Sequence, residues 1–307
     1  MKSIKKNKQL IFGYLFALIA TAIWSGNFII ARDLNKSIPP ISLAFWRWTV
    51  AVVILFPFAI RQLITDWKIL KSNFKYISIV SLLGVTVFNT LIYLAGHTTT
   101  AINLSLISIT FPVFIVLFSR IFYDELITLN KTIGILLVLF GVILLITKGN
   151  IAILLNLTFA IGDIWMLLAA IIFAIYSILI KKKPKELDIL SFQLSTFIVG
   201  LLFLFPFFIW ETLTVPSIEF TPKIFISIGY VGIFASLTAY MLWNKAIIKI
   251  GPTNAAIIYY TLPLFSGFLA YLFLNEVIGM IHLISLILIL IGIITATLKS
   301  IKNKSSI

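Results

Sequence analysis

The chain has 307 residues, of which 61% are hydrophobic and 11% are charged. This composition leaves too little polar surface to cover a water-soluble particle, so it excludes a soluble globular protein and indicates an integral membrane protein. The net charge of +14 does not indicate nucleic-acid binding, because the Lys and Arg residues lie in short runs between apolar stretches, where they orient a chain in the membrane.

Ten apolar stretches are long enough to cross the hydrocarbon core as helices, which takes about 20 residues each. They are residues 10–31, 40–60, 74–95, 101–121, 131–147, 162–180, 189–210, 224–244, 253–274 and 279–298. The first stretch has no clear cleavage site after it, so we interpret it as a retained span. Because the runs are continuously apolar and do not alternate, they predict an all-α bundle of ten transmembrane helices.

The loops between these stretches differ strongly in positive charge. With the N-terminus inside, 19 of the 24 Lys and Arg residues lie in cytoplasmic segments and 4 lie in outer segments. Cytoplasmic loops carry such an excess of Lys and Arg. The sequence therefore predicts a multi-pass protein of the cell (inner) membrane with both termini cytoplasmic.

A segment around the fourth stretch occurs again around the ninth. Asn103, Thr110, Pro112, Phe114, Phe122 and Glu125 recur 151 residues later as Asn254, Thr261, Pro263, Phe265, Phe273 and Glu276. This internal repeat predicts one five-helix unit in residues 1–150 and a second in residues 151–307. Because each unit has an odd number of spans, the second enters the membrane inverted, an arrangement that is typical of secondary carriers.

Four features of the sequence are distinctive: Trp24-Ser-Gly-Asn27-Phe, Phe45-Trp46-Arg47, the two Pro-to-Glu segments 112–125 and 263–276, and Gly134 with Gly141. Together they resemble the drug/metabolite transporter superfamily, specifically its EamA-like branch. The resemblance covers essentially the whole chain. It implies that helices 1 to 4 and 6 to 9 surround a central cavity, that helices 5 and 10 are peripheral, and that the protein exports amino acids or related metabolites.

Polar side chains inside the spans are the candidate substrate-binding residues, because such groups are costly in lipid unless they face a cavity or a partner helix. Arg47 lies about 10 Å deep in the second span, at 1.5 Å per residue. It could attract a substrate carboxylate, bond to a structural partner, or extend its side chain to the membrane surface. Trp24 and Asn27 carry the family pattern, and we expect them to face the cavity.

The third and eighth spans carry matching polar pairs. Asn89 and Tyr93 correspond to Tyr240 and Asn244 at the 151-residue offset, and we predict that all four face one water-accessible cavity near the midplane. Interhelical hydrogen bonding is the alternative. Further aromatic candidates, for ligand stacking or for interface anchoring, are Tyr176, Trp243, Tyr259 and Tyr260.

Other polar residues lie near the predicted helix ends. Asn103 and Asn254 could present amides to a substrate or cap their helices. Asp163 is expected to be an N-terminal cap, and Glu125 and Glu276 to be structural capping or pairing groups. Pro112 and Pro263 are expected to bend their spans.

The sequence also limits the chemistry. Cysteine is absent, and motifs for metal hydrolysis, phosphate binding or a nucleophilic serine are missing, so we expect neither an enzyme nor a cofactor or metal site. We therefore predict a secondary transporter of small polar metabolites that works by alternating access, as a monomer or weak homodimer in the lipid bilayer. A non-transporting scaffold or sensor is the alternative.

Overall fold

The computed structural model describes residues 2–34, 37–99, 101–215, 218–274 and 279–305, and these residues contain helices and turns but no strand. The helices are α1 (Lys2–Asp33), α2 (Pro40–Thr65), α3 (Phe74–Thr98), α4 (Ala101–Ser108 and Thr110–Tyr123), α5 (Leu129–Ile146), α6 (Ile161–Ile180), α7 (Ile189–Thr214), α8 (Pro222–Ile250), α9 (Pro252–Tyr259 and Leu262–Leu274) and α10 (Met280–Ser305). Two short helices, Trp67–Ser72 and Ala152–Leu155, lie in the connections after α2 and α5.

The ten predicted spans correspond to these ten segments. In the described part of the chain, nine helices are long and apolar enough to cross a membrane, and α9 is divided by a break. Several helices continue past the apolar stretches, as α8 does at both of its ends. We call the face where α1 begins and α10 ends the terminal face, and the opposite face the distal face.

The packing of the helices repeats with the sequence. α1 packs on α8 and α9 of the second repeat, and α6 packs in the same way on α3 and α4 of the first. α2 pairs with α7, and α4 with α9. The fold is thus two inverted five-helix repeats in which eight helices form the central bundle.

Matching distortions in α3 and α8 give independent evidence of the repeat. A π-helical segment occupies Leu82–Val87 in α3 and Val231–Thr238 in α8, and the two end 151 residues apart. A π segment loosens the regular hydrogen-bond ladder and is frequent at functional sites. Both repeats therefore place irregular backbone at the same position of the bundle.

The helix breaks in α4 and α9 match as well. α4 is interrupted at Ile109 and α9 at Tyr260, each three residues before the predicted kink proline. Because proline lacks a backbone N–H, it removes a hydrogen bond from the preceding turn. The two helices are therefore interrupted one turn before Pro112 and Pro263, where the bends are predicted. Glu276 lies outside the described residues.

α5 and α10 pack against each other beside the bundle, which is the peripheral position that the resemblance implied. Glycines bring their backbones close together: a Cβ on Gly134 would lie 2.5 Å from the carbonyl oxygen of Gly292, and one on Gly292 would lie 2.6 Å from that of Gly134. Small residues at such crossings are the usual means by which membrane helices pack tightly.

Gly134→Ala is expected to destabilise the protein by about 1–3 kcal/mol, because the added methyl group forces α5 and α10 apart. Gly229→Ala in α8 is the matched control, since a Cβ there meets nothing within 4 Å. Alanine favours helix over glycine, so the control should unfold at or slightly above the wild-type temperature. Thermal unfolding in detergent, followed by tryptophan fluorescence, compares the two, and equal unfolding temperatures would refute the close packing.

Candidate functional site

Arg47 lies at the centre of the bundle, where α2 meets α3 and α8. Its side chain is 0% exposed, so it does not reach the membrane surface. Nε donates to Ser236 Oγ at 2.6 Å, and Nη1 donates to Asn89 Oδ1 at 2.8 Å and to the Tyr93 hydroxyl. The guanidinium carbon also lies 5.3 Å from the ring centre of Trp48. Three helices therefore hold the guanidinium in one position.

Within the described part of the chain, the charge of Arg47 has no anionic partner. All three of its hydrogen-bond acceptors are neutral, and Nη2 has no partner among the described residues. An uncompensated buried charge costs several kcal/mol, and side chains of this kind are rare within membranes unless they serve a function. Arg47 is thus a buried cation with neutral partners and one nitrogen, Nη2, that has no partner among the described residues.

Arg47 and the neutral residues around it form a set of hydrogen-bonded side chains that we call the arginine network. It consists of Asn27, Arg47, Asn89, Tyr93, Ser236 and Tyr240. The Tyr93 hydroxyl donates to Asn27 Oδ1 at 3.5 Å. Asn89 Nδ2 donates to the Tyr240 hydroxyl at 2.8 Å. The network connects α1, α2 and α3 of the first repeat to α8 of the second.

The π segments supply backbone carbonyls that join the repeats. Tyr240 of the second repeat donates to the carbonyl of Gly84 at 2.8 Å, and Trp24 of the first donates to the carbonyl of Ala235 at 2.9 Å. Gly84 and Ala235 are 151 residues apart, so the two acceptors occupy equivalent positions in the repeats, whereas the donors Tyr240 and Trp24 do not. A Cβ on Gly84 would lie 2.3 Å from the Tyr176 ring, which explains why glycine is present there.

An aromatic cluster fills the space beside the arginine network. The Trp24 ring centre lies 5.3 Å from that of Trp243, 5.7 Å from those of Phe173 and Tyr240, and 6.2 Å from that of Tyr259. Such edge-to-face and tilted contacts stabilise aromatic packing. The cluster offers a large apolar surface next to a fixed positive charge.

A second set of hydrogen bonds, the amide network, lies on the side of α6, α7 and α8. The Tyr176 hydroxyl donates to Asn244 Oδ1 at 2.9 Å, and Asn244 Nδ2 donates to Gln193 Oε1 at 3.0 Å. Trp243 Nε1 donates to Ser177 Oγ at 3.2 Å. Gln193 Nε2 has no partner in the described part of the chain. This network is neutral, so the site is electrically asymmetric.

The four matched polar residues are therefore brought to the centre, but not as one open surface. Asn89, Tyr93 and Tyr240 belong to the arginine network, and Asn244 belongs to the amide network. All four side chains are at most 3% exposed. In this conformation the four side chains do not face a water-accessible cavity. They make hydrogen bonds between helices.

Two of the predicted binding residues lie away from the centre. Asn103 Nδ2 donates to the carbonyl of Thr158 and to Asp163 Oδ2, both at 2.9 Å, at the distal face. Asn254 Nδ2 donates to the carbonyl of Ile250 at 2.8 Å, near the start of α9. Both amides therefore make structural hydrogen bonds near helix ends, which was the alternative to substrate binding.

Asp163 stabilises the N-terminus of α6, as predicted, but it does not occupy the N-cap position. It is the third residue of the helix, and its carboxylate accepts a bond from the backbone nitrogen of Ala160 at 2.8 Å. Ala160 occupies the cap position and has no side-chain acceptor, so the carboxylate reaches back to satisfy the free N–H group.

Several residues of the site are not marked by any motif in the sequence. Ser236, Ser177 and Gln193 looked like isolated polar positions in apolar runs, and Trp48 like an ordinary apolar one. The Gly84 carbonyl became available through a π segment, which has no sequence signature of its own. One signal was usable: Ser236 lies within the helix that also carries the matched residues Tyr240 and Asn244.

Carboxylates join α2 and α7 at both faces. At the distal face, the buried Glu211 accepts bonds from the backbone nitrogens of Ile41 at 3.1 Å and Ser42 at 2.6 Å, which we call the distal clamp. At the terminal face, Asp66 accepts a bond from the backbone nitrogen of Asp188 at 3.0 Å, the terminal clamp. Each carboxylate lies at the end of one helix and stabilises the positive N-terminus of the other.

A further link lies at the terminal face. Glu125 pairs with Lys181 at 2.9 Å and accepts a bond from Thr253 at 2.6 Å, as expected for a structural pairing group. Burial raises the pKa of this carboxyl, but the hydrogen bonds from Thr253 and Lys181 and the nearby positive charges outweigh it and lower the pKa overall. Glu125 therefore stays ionised and connects α4 to α6 and α9.

Comparison with known proteins agrees with this architecture. The model of the EamA-like transporter family matches residues 11–147 and again residues 160–298. An uncharacterized transporter of Archaeoglobus fulgidus is 29% identical over 86% of this chain and 89% of its own. YedA of Escherichia coli, described as an uncharacterized inner membrane transporter, is 24% identical over 94% of this chain and 90% of its own. A solved crystal structure matches with a TM-score of 0.73 at 18% identity, over 94% of this chain and 98% of that one, and shows the shared fold.

Proposed function

Because the chain belongs to the EamA-like transporter family, we propose that this membrane transporter is a secondary carrier that exports amino acids or related carboxylate metabolites. The observation that carries the proposal is the buried guanidinium of Arg47, which has neutral partners and an unused Nη2. Arg recognises carboxylates through paired N–H donors. The aromatic cluster beside it would contact the rest of the substrate.

The symmetry of the fold supports alternating access as the mechanism of this carrier. In this proposal the closed centre and the two clamps are an occluded state, in which the site is sealed from both faces. Release of the distal clamp would separate α2 from α7 at one face, and release of the terminal clamp would separate them at the other. Since the two repeats are inverted, the same rearrangement can open the site to either side.

We place the terminal face in the cytoplasm and the protein in the cell (inner) membrane. The excess of Lys and Arg in the loops of this face supports the orientation, and the printed description of YedA as an inner membrane transporter supports the location. The absence of Asp and Glu from the middle of the spans favours facilitated flux or exchange over coupling by a buried carboxylate.

The orientation predicts the labelling of single cysteines. Lys68→Cys and Lys183→Cys, one in a loop of each repeat, should both react with an impermeant thiol reagent in inverted vesicles and not in intact cells. The chain has no native cysteine to interfere. Reaction of either variant in intact cells would contradict the orientation.

Counterflow in proteoliposomes tests the function itself. Purified protein is reconstituted, the vesicles are loaded with one unlabelled amino acid or related acid, and entry of the same labelled compound is followed. A carrier accumulates label transiently for at least one compound of the panel, above protein-free vesicles. A scaffold or sensor, the alternative function, gives no accumulation for any compound.

A further inference from the structure

We infer that the carrier prefers substrates with a net charge of −1, carboxylates without an ammonium group, and that its transport cycle moves electrical charge. The inference rests on the proposed function and specifies which of the carboxylate metabolites the site accepts. It follows from two independent observations on the centre of the bundle: its net charge, and the chemical type of its unpaired polar atoms.

The first observation is the charge of the site. Arg47 contributes one positive charge, and its hydrogen-bond acceptors Asn89, Tyr93 and Ser236 are neutral. A carboxylate that binds the free Nη2 neutralises this charge. A zwitterionic amino acid brings a second cation into the same region, where its ammonium group loses its water without gaining an anionic partner.

The second observation concerns the polar atoms that lack partners. Three nitrogens of the central α2 and α7 side chains have none among the described residues: Arg47 Nη2, Trp48 Nε1 and Gln193 Nε2. All three can only donate hydrogen bonds. A ligand that pairs with these three nitrogens must therefore supply acceptors, as carboxylate, hydroxyl and keto oxygens do, whereas the unpaired buried hydroxyls of Ser191 and Tyr260 can donate or accept.

The amide oxygens of the site, in contrast, each already accept one hydrogen bond. Asn27, Asn89 and Asn244 each accept a bond at Oδ1 from Tyr93, Arg47 and Tyr176, respectively, and Gln193 Oε1 accepts one from Asn244. An ammonium group brings three more donors to a region that already has surplus donors. Both the charge and the hydrogen bonding thus favour a hydroxy, keto or N-acyl acid over the free amino acid.

The substrate charge has a consequence for the driving force. When a carrier moves a monoanion in one direction and returns empty, each complete cycle transfers one negative charge across the membrane. This holds whether the loaded or the empty carrier is the form that moves net charge. A membrane potential that is negative inside then drives export, and 100 mV corresponds to a concentration ratio of about 50-fold. Such a carrier needs no titratable carboxylate in its spans.

The test uses matched compounds with the same carbon skeleton. One set is leucine, 2-hydroxy-4-methylpentanoate and 3-methylbutylamine; the other is serine, glycerate and ethanolamine. Efflux from proteoliposomes is measured at pH 7.5, with and without a potassium diffusion potential set by valinomycin. We expect the hydroxy acid of at least one set to leave at least tenfold faster than its amino acid and amine, and to leave faster still when the inside is negative.

Two arginine variants show whether the substrate preference depends on Arg47 or on the overall positive charge of the protein. Arg47→Gln should abolish the preference for the hydroxy acid, whereas Arg120→Gln, which removes an exposed arginine near the end of α4, should keep it. Equal or faster flux of the amino acids, with no effect of the potential, would overturn this inference and leave the carrier function intact. No flux of any compound in this test and in the wider counterflow panel would overturn both.

Discussion

Arg47→Gln is expected to raise the apparent KM for carboxylate-bearing substrates by about 10- to 100-fold, the effect of losing one charged hydrogen-bonding partner. The apparent KM for decarboxylated analogues of the same skeleton should change by less than about threefold, because they have no anion for the guanidinium to bind. Arg47→Lys should keep part of the transport, since it retains the charge but loses the planar geometry.

The stability of the same variants distinguishes a binding role from a structural one. Arg47→Gln gives up bonds to Ser236, Asn89 and Tyr93, but it also removes a buried charge that lacks an anionic partner. We therefore expect its unfolding temperature to stay close to that of the wild type. A large drop in stability, or an equal effect on both substrate classes, would show that Arg47 is a structural residue.

Weakening one clamp should open the carrier at one face. Ser236→Cys provides a reporter at the centre, because this side chain is buried and contacts Arg47. In that background, Glu211→Gln should increase labelling by an impermeant thiol reagent from the distal face by tenfold or more, since it removes a charged acceptor from the N-terminus of α2.

Asp66→Asn is the counterpart at the other face. It should increase labelling of the same reporter from the terminal face and leave labelling from the distal face unchanged or slower. Thr212→Val is a control for Glu211→Gln, because Thr212 is exposed and its hydroxyl donates within its own helix, to the carbonyl of Ile209. Equal effects of both clamp variants at both faces would mean that the clamps only stabilise the fold.

Much of the fold could be predicted because it depends on features that repeat along the sequence. Continuous apolar runs of membrane length fixed the spans, and the 151-residue offset fixed the two repeats. The breaks before Pro112 and Pro263 followed from the missing backbone donor of proline. The π segments could not be predicted, because they arise from packing between α3, α8 and their neighbours and not from a local motif.

The site was predicted less completely, since its chemistry depends on which side chains meet across helices. Arg47, Asn89 and Tyr240 stood out as polar groups in lipid, and the structure brings them together. Their relation to the Gly84 carbonyl and to Ser236 required the tertiary fold. The apolar stretch 189–210 ends just before Glu211 and so gives no sign that the helix includes it, yet α7 continues to Thr214 and buries the carboxylate against α2.

The most direct test of alternating access is whether one central residue can be labelled from both sides of the membrane. Ser236→Cys should react slowly with an impermeant thiol reagent in intact cells and also in inverted vesicles, and a transported carboxylate should slow both reactions. Ser285→Cys is the control, because this buried side chain lies between α5 and α10 and should react from neither side. Reaction of Ser236→Cys from one side only, or from neither, would contradict alternating access to a single site.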